Sequence, residues 1–456
     1  MSVVHITHVE NCSEGSSRLK PEVPASSPAN SLAAPGNRRI SVFYHYLFPD
    51  NVVSAVHVDE LCQGLVQRGW DVTAFPANRG CRDENLTYEP LSLHKGVRLQ
   101  RLWRPRFRQS SSSGRLLNAF WMIARWSLLA FRPNPPAAII VGTDPILSVT
   151  VAIVWRLVRP RTQILHWVFD LYPEAAYADG LLAPEGIFAN LLAKLLRRAY
   201  AACDALIDIG PCMRARLGAY PLNARRETIV PWALEEPAAV LPDAPEEREQ
   251  IFGSTRIAML YSGNFGRAHQ FEDFLALARA LHNEDAIFAF SVRGNREEEL
   301  ANAIAGVSAE TSCPVRLVPF APQERLLDRL AAPDIHLLSL IPSWTGLVVP
   351  SKFFGALAAG RPVLFSGSPD SSIAEWIMTF DLGWVLTPEN VESIAAQVVS
   401  YVNDEARVVA TKQRCRAVYQ AYFSREASLD HMHTLLVDLV SRPHSPGAEA
   451  LSSAAR

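Results

Sequence analysis

The feature that most constrains this chain is an alternation of short apolar runs with helical patterns, which stops near residue 235 and restarts near residue 256. Before the break, 40–46, 71–75, 138–141, 163–168, 205–209 and 228–230 read as strands, each a short apolar run rich in β-branched or aromatic residues. A clear helical period fills 55–68. After the break the strands are 256–261, 287–292, 315–318, 335–339 and 362–365, with helices at 272–282, 296–305, 324–330 and 351–359. Strands joined through helices are crossovers between parallel neighbours. The expected fold is therefore α/β: two doubly wound, Rossmann-like parallel sheets facing each other across an interdomain cleft. In such sheets ligands lie outside the carboxyl ends of the strands, so chemistry is sought there.

At 456 residues the chain is too long for one core, which agrees with two units. Residues 1–38, with prolines at 21, 24, 28 and 35, are expected to be a disordered leader. The first unit should run over 39–234, a Pro- and acid-rich linker over 235–250, and the second unit over 251–403. Helices over 404–441 are expected to pack back on the first unit, and 442–456 to form a disordered tail. A net charge of −2 excludes a globally basic nucleic-acid binder. Seven scattered cysteines, none in C-x-x-C spacing, point to neither a zinc site nor a disulfide framework, and a reducing, cytoplasmic setting is the simpler reading. The best membrane-span candidate, 146–155, falls well short of the ~18 apolar residues a span needs. The start lacks the pattern of a secretory signal.

Two loops of the second unit carry chemistry. The first reads Tyr261-Ser262-Gly263-Asn264-Phe265-Gly266-Arg267, leaving an apolar strand and preceding a helix. Gly263 lets the backbone approach a phosphate closely, and Arg267 offers a bidentate contact. An ordinary βα turn has the same pattern, and the loop is neither a dinucleotide fingerprint nor a P-loop. The second runs from Gly346 to Leu364, where Ser351 stands as an N-cap and Lys352 falls in the first helical turn. A lysine there opposes the helix dipole unless an anion lies nearby. A solvated surface lysine is the bland alternative.

The combination "YSGNFG", "LLSLIPSWTGLVVPSKFFGALAAGRPVLFSG" and "IVPWA" (229–233) resembles the GT-B retaining glycosyltransferases of family 4, within them the bacterial fucosamine-type branch of capsule and O-antigen synthesis. The resemblance covers roughly residues 40–440 and is most specific at 345–365. It implies a nucleotide diphosphosugar donor on the second unit, a glycan or lipid-linked acceptor mainly on the first, and no metal or other cofactor. Gly263, Asn264, Gly266, Arg267, Gly294, Ser351 and Lys352 would then form the donor site. Two positions depart from the family pattern. Its paired glutamates are Leu347 and Gly355 here, and the lysine six residues after the arginine is Asp273.

In the first unit, the strand over 163–168 runs into Phe169-Asp170-Leu171-Tyr172-Pro173-Glu174, two carboxylates where α/β sheets place chemistry. The family often has a histidine where Phe169 stands. Asp170 is the first catalytic candidate and Glu174 the second, although an aspartate there also caps turns. His166, inside the strand, reads as a hydrogen-bonded core residue. Thr143-Asp144-Pro145 and His45, at neighbouring strand ends, face the same region.

From Pro90 to Thr143 there is no Asp or Glu, while Lys95 and Arg98, 101, 104, 106, 108, 115, 125 and 132 alternate with aromatic residues. Such a segment, 95–132, suits an anionic membrane surface, which would make the chain cytoplasmic and peripheral on the inner face of the cytoplasmic membrane. An internal helix with a solvated loop is the other reading. No nucleic-acid module accompanies it. Two further functions stay compatible with the fold: a nucleotide-sugar 2-epimerase, and a catalytically degenerate scaffold of a membrane glycan assembly.

Overall fold

The computed structural model describes residues 37–441 except 181, 182, 184, 221, 222, 243 and 308–310. The proposed leader, apart from Asn37 and Arg38, and the proposed tail lie outside the described residues. The first sheet holds β1 (Arg39–Phe43), β2 (Asp71–Ala74), β3 (Leu91–His94), β4 (Val97–Gln100), β5 (Ala138–Val141), β6 (Gln163–Trp167), β7 (Ala205–Asp208) and β8 (Arg225–Thr228), in the order β3-β4-β2-β1-β5-β6-β7-β8. All neighbours are parallel except the β3–β4 hairpin. The second sheet, wholly parallel, holds β9 (Ile257–Asn264), β10 (Ala286–Arg293), β11 (Val315–Leu317), β12 (Ile335–Leu340), β13 (Val363–Gly367) and β14 (Gly383–Leu386), ordered β11-β10-β9-β12-β13-β14. The central strands are buried on both faces, as helix-covered parallel sheets require. Strand order reverses beside β1 and β5 in one sheet and beside β9 and β12 in the other, which fixes where ligand crevices open.

The chain's last helix, Arg425–Ser441, returns to the first sheet's core. Its Leu429, Met432, Leu435, Leu436 and Leu439 join that cluster. Gly64, on the helix Val53–Gln67, makes the approach possible, since a Cβ there would sit 2.4 Å from Leu429.

Three expectations need correction. The stretch expected as a linker contains the helix Pro245–Phe252: proline at its start presets φ, acids fill its first turn, and Ile251 and Phe252 are buried. The strand expected at 228–230 is β8, Arg225–Thr228, a half-buried edge whose charges pair outward, Arg225 with Asp438 and Glu227 with His431. A search for apolar runs slides past such a strand to Ile229. The basic segment is not one exposed face. Arg101 is buried and donates to the carbonyls of Phe48 and Glu89, and Arg104 is fully buried near the Tyr46 ring. Residues 91–100 form the β3–β4 hairpin, turned by Lys95 and Gly96 at positive φ.

Candidate active site

The loops after β5 and β6 and the helix Ile187–Ala201 converge on a pocket lined by Thr143, Ser148, His166, Asp170, Tyr172 and Tyr200, with Leu147, Val149 and Leu196 as its apolar wall. Asp170 follows β6 directly. Burial, and secondarily the charge of Asp144, push its carboxyl up to about 6. His166 also faces the pocket, but its Nδ1 lies 2.8 Å from the Val141 carbonyl and burial drops its pKa to about 4. It is neutral at pH 7 and donates through Nδ1, as a core histidine does. Leu147 holds φ 65°, an unusual conformation for a branched side chain, at the pocket wall.

Beside this pocket the crevice between β1 and β5 is closed by a backbone bond from His45 N to the Asp144 carbonyl, 3.0 Å. The His45 Nδ1 stands 3.5 Å from Asp144 Oδ1, and its Nε2 is buried with no partner among the described residues. Glu174 does not line the pocket. Its Oε1 accepts from the Tyr220 hydroxyl at 2.6 Å, so the two carboxylates expected together face different surroundings.

The second crevice lies at the end of β9. Gly263 holds φ 127°, which other residues rarely adopt, and a Cβ there would come within 2.7 Å of Lys352 Cε, so a side chain here would push the lysine aside. Lys352 opens the helix Lys352–Ala358, donates to the Asn264 carbonyl at 2.8 Å, and lies 5.1 Å from the Tyr261 ring centre. It makes no ion pair among the described residues, and desolvation lowers its pKa to about 8. Gly294 serves the same loop: its φ is 156° and a Cβ would collide with the Phe265 carbonyl. Ser351 occupies the N-cap position but makes no side-chain cap bond, leaving its exposed hydroxyl unengaged. Gly266 follows the buried Phe265, and Arg267 points across the cleft to Asp179 Oδ1 at 3.2 Å. Sequence reading missed Asp179; its contact joins residues 88 positions apart, and no local pattern announces it.

Leu347 and Asp273, two of the positions that depart from the expected pattern, are both engaged in the structure. Leu347 is buried within the first sheet's core, and its carbonyl accepts from Leu171 N at 3.1 Å, one residue past Asp170. Arg216 Nε donates to the Thr345 carbonyl at 2.6 Å, and Cys212 N to Ser372 Oγ at 3.1 Å. Leu347 and Thr345, with Ser372 further along the chain, thus fasten the two units together. Asp273 accepts from Ser366 and Gln270, tying its helix to β13. Among the described residues no cluster of three or more His, Cys, Asp or Glu is arranged to hold a metal ion. No described helix is long and apolar enough to cross a membrane.

Solved structures share this arrangement. Sucrose-phosphate synthase of Thermosynechococcus elongatus superposes with a TM-score of 0.65 at 17% identity, covering 88% of this chain and 99% of that one. Starch synthase IV of Arabidopsis thaliana, solved with ADP and acarbose, gives 0.62 at 12% over 89% and 100%. HepE of Anabaena, solved with UDP-glucose, gives 0.56 at 12% over 91% and 99%. Two facing parallel-sheet units with crevices at their switch points define the GT-B class. Residues 54–233 match the model of the glycosyl transferase 4-like domain. The probable glycosyltransferase WbjE of Pseudomonas aeruginosa is 28% identical over 267 residues, 58% of this chain and 62% of that protein. The amylovoran biosynthesis glycosyltransferase AmsK of Erwinia amylovora is 29% identical over 162 residues, 35% of this chain and 39% of its own. The chain therefore spans less than two thirds of either relative.

Proposed function

We propose that this protein is a glycosyltransferase that moves a sugar from a nucleotide diphosphosugar to a hydroxyl of a glycan or lipid-linked acceptor, with retained anomeric configuration. The observation that carries the reading is Lys352: a desolvated cation without a carboxylate, seated under a glycine loop at a switch point, is stabilised by an anion placed there. Relatives with this fold have been solved with ADP, UDP and UDP-glucose. A diphosphate against Lys352 and the backbone of Gly263 and Asn264 leaves as the bond from the anomeric carbon to its oxygen breaks, taking the electron pair. In the same place the Ser351 hydroxyl, and Arg267 once it turns from Asp179, can reach it, so these groups carry the leaving charge without a metal. The new bond forms to the acceptor oxygen on the face the diphosphate leaves, and the acceptor's hydroxyl proton passes to the departing diphosphate oxygen; Asp170 orients the acceptor through a hydrogen bond while its charge offsets that developing at the anomeric carbon. Gly294 and Gly266 shape the loop. Glu174 acts by positioning, through Tyr220.

Thermal denaturation with a panel of nucleoside diphosphates tests the donor site. A diphosphate at 100 times its dissociation constant adds about 2.7 kcal/mol, and Lys352→Ala should remove most of that gain. Stabilisation by none of the panel would sink the donor site. A nucleotide sugar epimerised without acceptor would instead make the chain an epimerase.

A further inference from the structure

We infer that one end of the first unit is an anionic-membrane docking surface, built from the exposed faces of the helices Ser112–Leu128 and Ile187–Ala201. The second of these lies outside the basic segment picked out by sequence. This inference deepens the lipid-linked-acceptor reading above by naming the surface that would bring the site to the lipid.

On the helix Ile187–Ala201, the residues Ile187, Phe188, Leu191 and Leu195 are 90%, 67%, 65% and 39% exposed. At 3.6 residues per turn they share an arc of roughly 100°. Lys194, Arg197 and Arg198 are exposed beside that arc, and the helix contains no acid. The one acid adjoining it, Glu185, precedes its first turn. The helix Ser112–Leu128 repeats the device at the same spacing. Leu116, Leu117 and Phe120 are exposed, with Arg115 beside them and again no acid. Trp103 and the exposed run Arg106-Phe107-Arg108 are pinned against this helix, by bonds from Trp121 Nε1 to the Trp103 carbonyl and from Asn118 to the Phe107 carbonyl.

Both helices pack on the turn Ser148–Thr150 and on the helix Val151–Val158. This shared support adjoins the pocket that holds Asp170. Ser148 and Val149 of the turn and Leu196 and Tyr200 of the second helix line it, and Arg115 acts electrostatically on Tyr172 in its wall. Large apolar side chains in water are unfavourable as a patch, and a patch flanked mainly by cations is complementary to a surface that is apolar inside and anionic outside. A lipid headgroup at that surface would present its hydroxyl at the pocket mouth.

The test is co-sedimentation of the full chain with vesicles of phosphatidylcholine containing about one third phosphatidylglycerol, beside pure phosphatidylcholine. Binding is expected only to the anionic vesicles. Phe188→Asp with Leu191→Asp should lower the partition coefficient at least about tenfold, and each of Lys194→Gln and Arg197→Gln about fivefold. Because these side chains are exposed, melting temperature and nucleotide binding should stay unchanged, which shows that the variants fold. Failure to bind anionic vesicles overturns the inference, as does equal binding by the double-aspartate variant. A concentration-dependent dimer abolished by the same two substitutions, with no vesicle binding, would mean that a second copy covers the patch. Nucleotide binding without vesicle binding removes this inference and leaves the transferase reading standing; the converse removes the transferase reading and leaves the docking surface.

Discussion

At the ends of β5 and β6 the first sheet sets Asp170 in a pocket, with Asp144 close enough to act on its charge, whereas at the end of β9 the second sheet seats Lys352 under a glycine without an acid. Both crevices desolvate an ionisable group that no opposite charge compensates, and the groups have opposite signs. In each, burial favours the neutral form: the Asp170 carboxyl is pushed up to about 6 and the Lys352 ammonium down to about 8. A folded protein gains nothing in stability from either arrangement. Their complementarity is to something that carries positive character at one crevice and negative charge at the other.

That contrast breaks or sharpens under substitution. The largest effect is expected from Asp170→Asn, which should lower sugar transfer about 10²- to 10⁴-fold. The same change should raise stability at pH 7 by about 1–3 kcal/mol. Because the folded pKa exceeds the unfolded one, the penalty is absent below about pH 4, grows between pH 4 and 6, and is full above it. Urea denaturation of both proteins at pH 4 and pH 7 checks this: an equal stability difference at the two pH values would remove Asp170 from the desolvated pair. Lys352→Met should mirror it, abolishing most diphosphate binding while stabilising the free protein by about 1–3 kcal/mol below pH 8. Here the folded pKa lies below the unfolded one, so the gain fades as pH rises from 8 towards 10.5. Calorimetric titration of the wild type should likewise show diphosphate affinity falling as pH rises above about 8, since the anion selects the protonated lysine. Affinity flat from pH 7 to 9.5 would show that Lys352 does not face the anion.

Smaller effects come from the seam between the crevices. Asp179→Ala frees Arg267, whose side chain is 57% exposed. Exposed pairs contribute about 0–1 kcal/mol, so stability should barely move while diphosphate binds up to about fivefold tighter; weaker binding would mean that Asp179 holds Arg267 in its binding pose. Gly355→Ala is the mildest. A Cβ there meets only Leu330, at 3.7 Å, and replacing a helical glycine should stabilise by about 0.5–1 kcal/mol, read as a small rise in melting temperature.

What was legible in the sequence was what depends on neighbours along the chain. The buried strands announce themselves as apolar runs, and β5 falls at residues 138–141, where its Ala-Ile-Ile-Val run stands. The glycine loop and Lys352 were readable because a strand, a glycine and a helix start sit within a few positions. What was hidden depends on partners far away. β8 is an edge strand whose charges are satisfied by a helix about 200 residues later. Arg104 looks like its neighbours Arg106 and Arg108 in sequence, yet packs inside near Tyr46. Asp179 has meaning only through Arg267. A run of cations therefore overstated one surface, while the apolar face of the helix Ile187–Ala201, with ordinary composition, passed unnoticed.

Leu347 has a kinetic consequence. Its side chain is lodged in the core of the opposite unit, so hinge opening must expose it to water at a cost of about 1.5–3 kcal/mol. A contact of that size would lower the population of a form with the units parted by roughly 10- to 150-fold. Leu347→Ala would loosen this clasp, and single-molecule energy transfer between dyes on the two units would register it as a more populated open state. Leu347 is thus a latch between the units rather than only a filler of the first core.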